Sequence, residues 1–236
     1  MNQIIIIILI SWFAGLAAWV GGILAWVDGS AETETKREIT HGVVAFGGGI
    51  LIAAVAFALI PKGMAILSPL RLAITFCSGG LLFLMVDVYL SRGGGTKAQF
   101  MAMLLDFLPE ALALGAVFGH DPRLGMLLSA FIGTQNLPEG FNSFREFQGK
   151  GAKPHITLRC FLAISLLGPI AACTGYFFLQ DHPRLTAGIM TFASGGIMYL
   201  IFQDIAPQSK MKRYWTPALG AVLGFTFGML GKMLIG

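Results

Sequence analysis

Charge is scarce in this chain. Only 12% of its residues are Asp, Glu, Lys or Arg against 56% hydrophobic, and apolar runs recur along almost the whole length, so nothing is left from which a soluble domain could be built. Cysteine is nearly absent too. Cys77, Cys160 and Cys173 are odd in number, lie in apolar segments and show no CxxC spacing, which argues against a disulfide framework or thiolate metal site and reads as buried free thiols. There is no GxxxxGK[ST] motif and hence no fuel domain. There is no HExxH, no nucleophile-and-base constellation and no Gly-x-Gly-Asp pattern of an intramembrane aspartyl enzyme, so the chain is not expected to be an enzyme.

What remains is a set of apolar runs of about 20 residues bounded by charge, Pro or Gly. They predict an all-α integral membrane protein of eight spans in a single domain over 1–236, at roughly 3–27, 42–61, 70–90, 98–119, 123–145, 157–180, 185–206 and 214–235. The connections read as short: a mixed-charge linker from Asp28 to Thr40, and a small glycine-rich loop from Ser91 to Thr96.

Orientation follows from the basic residues. Lys36, Arg37, Arg92, Lys97, Arg145, Lys150, Lys153, Arg159, Lys210, Lys212 and Arg213 follow the odd-numbered spans, whereas Lys62, Arg71, Arg123, Arg184 and Lys232 lie on the other side. That bias predicts a multi-pass protein of the cell (inner) membrane with cytoplasmic odd-numbered loops and both termini outside. The net charge of +4 then reflects topology and implies no nucleic-acid partner. Met1-Asn2-Gln3 leads straight into an apolar run without a basic n-region or cleavage site, so a retained first span is expected.

Within this apolar background two segments stand out: Asp106-Phe107-Leu108-Pro109-Glu110 and Gln135-Asn136-Leu137-Pro138-Glu139. A carboxylate at the bilayer centre costs about 2.5–3.5 kcal/mol on insertion scales, so Asp106, Glu110 and Glu139 together imply a penalty on the order of 8–10 kcal/mol that a bound cation would offset. Residues four apart share a helical face, which stacks Asp106 with Glu110 and Gln135 with Glu139. Counted inward from Lys97 and Lys150 at the helical rise, Glu110 and Glu139 reach depths of roughly 20 and 16 Å, both near mid-membrane. Pro109 cannot donate to Leu105 nor Pro138 to Thr134, so each helix should bend and free a carbonyl beside its carboxylates, which lipid tolerates only where a polar cavity or ligand receives it.

A second pattern is internal. Phe46-Gly47-Gly48-Gly49 followed by Pro61 matches Phe192-Ala193-Ser194-Gly195 followed by Pro207 at one constant offset, and Phe76-Cys77-Ser78-Gly79-Gly80 echoes it. Spans 2 and 7 run in opposite directions, so the match predicts an inverted repeat, the arrangement that exposes one central site alternately to either side. The same small residues also let helices pack closely, and glycine-rich faces on spans 2, 3, 7 and 8 permit a homodimer.

These residues resemble the ZIP family of divalent-metal transporters, whose fourth and fifth helices carry His-Asn-x-Pro-Glu-Gly and Gln-Asn-x-Pro-Glu-Gly-like motifs. The likeness covers nearly the whole chain, including Leu59-Ile60-Pro61 and Asp204-Ile205-Ala206-Pro207. It implies a ZIP-like 3+2+3 bundle and a metal-site motif matched at Glu110, Gln135, Asn136, Glu139 and Gly140, with Asp106 where a His is usual; the metal residues it implies are Asp106, Glu110, Gln135, Asn136 and Glu139. It also implies that spans 1, 4, 5 and 6 move against a scaffold of spans 2, 3, 7 and 8. The chain departs from the pattern at Phe107, where Asn or Asp is usual, at Ala111, where Gly is usual, and at Gly168-Pro169, where Glu-Pro is frequent. Those losses point to a single metal site made of Asp106, Glu110, Gln135 and Glu139 with Asn136 nearby.

That set holds only oxygen donors, which suit Mn²⁺, Mg²⁺ and Fe²⁺, whereas zinc favours His and Cys but binds most sites more tightly than Mn²⁺ or Fe²⁺. The expected activity is import of a divalent transition metal, zinc by resemblance with manganese or iron next, with no cofactor and with protons replacing the metal on the return. A cation/proton exchanger of another fold and a relative that senses metal without moving it remain alternatives. His120-Asp121-Pro122-Arg123 and Asp181-His182-Pro183-Arg184 read as helix starts. His155 reads as solvated loop, Asp87 and Asp204 as anchors met by water, Lys210 or Arg92, and His41 as the start of span 2.

Overall fold

The computed structural model describes residues 2–29, 33–92, 98–211 and 215–235, and their side chains except at 90–92 and 98–102. Lys97, Lys212 and Arg213, three of the residues on which the expected orientation rests, lie outside the described residues, as does most of the Ser91–Thr96 loop. Among the described residues every regular element is helical. In chain order these are α1 (Gln3–Asp28), α2 (Glu34–Ala54), a π-helical turn (Val55–Leu59), α3 (Ile60–Ile66), α4 (Pro69–Arg92), α5 (Ala98–Phe118) and α6 (Pro122–Gly149). There follow α7 (Pro154–Ser165), α8 (Leu167–Phe178), α9 (Pro183–Leu200), a second π-helical turn (Ile201–Ile205), α10 (Ala206–Gln208) and α11 (Pro217–Ile235).

Among the described residues six helical stretches are long and apolar enough to cross a membrane: Gln3–Asp28, Glu34–Ile66, Pro69–Tyr89, Pro154–Phe178, Pro183–Gln208 and Pro217–Ile235. Helices α5 and α6, which carry the two proline motifs, are not among them. The outward faces are apolar as well: Ile74, Met85, Leu223 and Met233 are all exposed. Water would penalise such a surface and acyl chains would not, so this is a multi-pass membrane protein. Cys77 and Cys160 also lie on the exposed surface, which corrects their expected burial: in lipid an apolar segment need not bury its thiols inside the protein.

Two further boundaries differ from expectation. The mixed-charge stretch up to Thr40 is largely helix, because Thr33 caps α2 by accepting from Lys36 N at 3.2 Å and Glu34 sits in the first turn. His41 therefore lies inside α2, with Nδ1 bonded to the Gln208 carbonyl. The run at 157–180 is two helices meeting at Leu166. Pro169 has no N–H for the carbonyl of Ser165, so the hydrogen-bond ladder is interrupted there.

Helices pack chiefly in four pairs: α1 with α6, α2 with α11, α4 with α9, and α5 with α8. One tripeptide shows why the close pairs need glycine. A Cβ on Gly47 would meet the ring of Pro138 in α6, one on Gly48 would meet Ile205 in the second π turn, and one on Gly49 would strike the main chain of α11 at Ala221. Three neighbours thus converge on one turn of α2, and the first of them is Pro138, the residue that precedes Glu139 in α6. Gly195 does for α9 what Gly49 does for α2, its absent Cβ making room for the main chain of α4 at Phe76. The two π turns also fall at the offset that relates Pro61 to Pro207. A π turn inserts an extra residue into a helix, and both precede their proline by the same two residues.

Close main-chain approach makes these glycines intolerant of bulk. Gly195→Leu should lower stability by about 1–3 kcal/mol through overpacking, while Gly188→Ala, with nothing within 4 Å of the added Cβ, should be neutral. Thermal unfolding in detergent checks both.

Candidate metal centre

Helices α5 and α6 run through their prolines, Pro109 and Pro138, without a break. Both bring polar residues into the interior. Asp106 and Glu110 are 1% exposed, Gln135 is 0% and Asn136 is 2%. Glu139 is less enclosed, at an intermediate exposure. A 2.6 Å hydrogen bond from Gln135 Nε2 to Glu110 Oε2 ties α6 to α5. Asn136 Nδ2 donates to the Ala14 carbonyl at 3.0 Å, tying α6 to α1. Asp106 Oδ1 accepts from the Phe107 amide at 2.7 Å.

Both amide side chains are therefore oriented with their N–H on protein, which leaves their oxygens unused. Gln135 Oε1, Asn136 Oδ1 and Glu139 Oε2 are all buried without a hydrogen-bond partner. Every one of these orphaned atoms is an acceptor. Leaving a buried acceptor unpaired costs about 1–3 kcal/mol, so three on less than two turns of one helix call for a donor or a cation. Asp106 lies near Glu110, and both lie near Glu139, so negative charge on any one of them disfavours charge on the others unless a cation is present. Among the described residues no three of His, Cys, Asp and Glu are drawn together around an ion-sized centre. The buried oxygens on this part of α5 and α6 are of two kinds, carboxylate and carboxamide.

Phe107, the first departure from the ZIP-like pattern, is packed against the third. Its ring tip lies where a Cβ on Gly168 would come within 2.8 Å, and one on Gly15 within 3.0 Å. The ring fills the junction of α1 with the α7–α8 break, so the aromatic and the glycine fit one another. Ser143, one turn beyond Glu139, is also fully buried with its Oγ unpartnered. Sequence reading passed over it, although the spacing Gln135, Glu139, Ser143 was there to see.

The other polar residues take structural places. Asp121 caps α6 by accepting from Leu124 N at 3.0 Å, with Pro122 in the first turn, and His182 precedes Pro183 at the start of α9. His120 bonds the Gln180 carbonyl at 3.1 Å and lies 4.0 Å from Asp181. His155 is exposed, in the first turn of α7 rather than in a loop. Asp87 accepts from the Tyr199 hydroxyl at 2.8 Å, a partner the sequence did not suggest. Arg145 joins Asp28 at the end of α1 and Thr40 in α2, and Lys36 lies 3.0 Å from the same Asp28 carboxylate.

No protein-family model matches this chain. It is 27% identical over 150 residues to a protein named Zinc transporter GufA from Myxococcus xanthus, an alignment covering 61% of this chain and 59% of that protein. The chain thus matches less than two thirds of that relative's length. A chain with several membrane-crossing helices, a buried set of oxygen acceptors and this similarity falls among integral membrane proteins related to a metal transporter.

Packing of the Phe107 ring supplies a prediction. Phe107→Ala should destabilise the fold by about 3–5 kcal/mol by opening a cavity between α1, α7 and α8. Denaturant unfolding in mixed micelles measures it, and a loss below about 1 kcal/mol would mean that the ring contributes no packing there.

Proposed function

We propose that this chain moves a divalent transition-metal ion across the membrane, zinc with manganese or iron as close candidates, through one site between α5 and α6. Asp106, Glu110, Gln135 and Glu139 supply its oxygens and Asn136 lies beside them. The observation that carries this reading is the chemistry of the unused atoms: two carboxamide oxygens and a carboxylate oxygen on one stretch of α6, all acceptors, buried beside two further carboxylates. A donor would satisfy these acceptors one by one, whereas a cation satisfies acceptors and offsets the neighbouring carboxylate charges together. The named activity of the Myxococcus relative supports metal as that ligand.

The architecture in this proposal is eight spans in a 3+2+3 arrangement. Helix α2, its π turn and α3 form span 2. Helices α7 and α8 form span 6, and α9, its π turn and α10 form span 7. Two features support an inverted repeat: the π turns that precede Pro61 and Pro207 at equal distance, and the matching use of Gly49 against α11 and Gly195 against α4. Both termini face outside. Metal enters from that side, exchanges water for the carboxylates, and leaves to the cytoplasm as α1, α5, α6 and the α7–α8 pair shift against the other four spans. Protons take its place on the return. No cofactor takes part.

The oxygen-only donor set favours Mn²⁺ and Fe²⁺ in geometry, and Zn²⁺ in intrinsic affinity. Uptake into proteoliposomes of the purified protein, with Zn²⁺, Mn²⁺, Fe²⁺, Cd²⁺ and Mg²⁺ compared, tests the proposal. Glu110→Ala and Glu139→Ala should each reduce uptake to background. Undiminished uptake in both would remove the site, and stoichiometric binding without flux would make the protein a sensor.

A further inference from the structure

Seven serine and threonine side chains are buried among the described residues. Six return their hydroxyl to a carbonyl of their own segment. Ser11 donates to Ile7 at 2.6 Å, Ser165 to Leu162 at 2.7 Å, and Thr191 and Ser194 to Ala187 and Met190 at 2.8 Å. Thr157 and Thr186 do likewise. This back-bonding is the ordinary way for a hydroxyl in an apolar helix to be satisfied. Ser143 is the exception: it is 0% exposed and its Oγ has no partner, although the carbonyl of Glu139 lies one turn back.

Its place in the helix gives that exception meaning. Among the described residues five of the six buried side-chain polar atoms without partners belong to α6, and Gln135 Oε1, Asn136 Oδ1, Glu139 Oε2 and Ser143 Oγ follow one another along it. Gln135, Glu139 and Ser143 are spaced by four and share a face, with Ser143 about 6 Å beyond Glu139 toward the C-terminal end. The same face continues to Glu146 at the helix end, paired there with Lys150 at 2.7 Å.

We propose that Ser143 is a further ion-contacting residue, the oxygen to which the cation passes from Glu139 on its way toward the C-terminal end of α6. This rests on the reading of Glu139 as a ligand of the transported metal. A hydroxyl suits the step because it is neutral. Conduction needs a stop that is favourable enough to enter and weak enough to leave, and a second carboxylate would hold the ion where a hydroxyl lets it go. The ligand class is a divalent cation, taken either bare or through one of its waters, to which a hydroxyl can also bond.

The test uses full-length protein in proteoliposomes with Mn²⁺ and Cd²⁺ as probes, in a chain whose Cys77, Cys160 and Cys173 are replaced by Ala. Ser143→Cys exchanges a hard oxygen for a soft sulfur at the proposed stop. The Cd²⁺ to Mn²⁺ uptake ratio should rise about tenfold, a change of one order in relative rate, and Cd²⁺ should protect the new thiol from a small maleimide. Ser143→Ala should slow Mn²⁺ uptake about tenfold while Mn²⁺ binding in detergent, read by calorimetry, stays within about twofold. Ser143→Thr should retain the rate. An unchanged metal ratio with an unprotected thiol in the Cys variant overturns the role of Ser143, whatever the Ala variant does. Failure of the unsubstituted protein to bind any of these ions overturns the transport reading itself, so the two failures are distinguishable.

Discussion

Two carboxylates buried in an apolar bundle with no basic partner set the terms for this structure. The ion pairs of Asp28, Glu146 and His120 with their neighbours all lie away from Asp106, Glu110 and Glu139. An uncompensated buried charge is among the costliest features a fold can carry. Among the described residues the side-chain relief is one amide, Gln135, whose N–H group serves Glu110 and whose oxygen is left over. Satisfying one acid creates one more free acceptor, and Asn136 repeats the arrangement with the Ala14 carbonyl.

The rest of the bundle holds α6 where this can persist. Helix α6 touches α1 through Asn136, α5 through Gln135 and α2 through Pro138 seated against Gly47. Near its far end Arg145 gathers Asp28 and Thr40, so α1, α2 and α6 are bound together there by charge as they are bound near the site by close packing. The polar contacts of the site bridge α6 to α1 and α5, whereas its contact with α2 at the site is apolar. Under the proposed transport motion, the apolar α6–α2 contact at the site is the one that can shift without breaking a hydrogen bond.

Much of the fold was legible in the sequence because lipid leaves few choices: runs of about 20 apolar residues had to be helices. The boundaries near charge were less legible. Helix α2 begins at Glu34, where composition suggested a linker, since Thr33 supplies a cap that a hydropathy reading does not weigh. The break at Leu166 was signalled by Pro169 and missed because the apolar run was unbroken. The π turns have no hydropathy signature, and Pro61 and Pro207 mark them only in hindsight. At the site, the spacing put Asp106 with Glu110 and Gln135 with Glu139 on common helix faces, but neither the bond from Gln135 to Glu110 nor the fit of Phe107 to Gly168 was legible, because those partners are far apart in sequence and meet only through packing. Ser143 was visible as the third member of a four-residue ladder, but its unpaired state is a tertiary fact.

The central claim is that a divalent metal is held by oxygen alone. X-ray absorption spectroscopy on purified protein loaded with a single equivalent of Zn²⁺ or Mn²⁺ reads the ligand atoms directly. The account predicts a first shell of oxygen scatterers, lost when Glu139 and Glu110 are both replaced. A shell containing sulfur or imidazole nitrogen, or a metal signal that survives in the double variant, would contradict it.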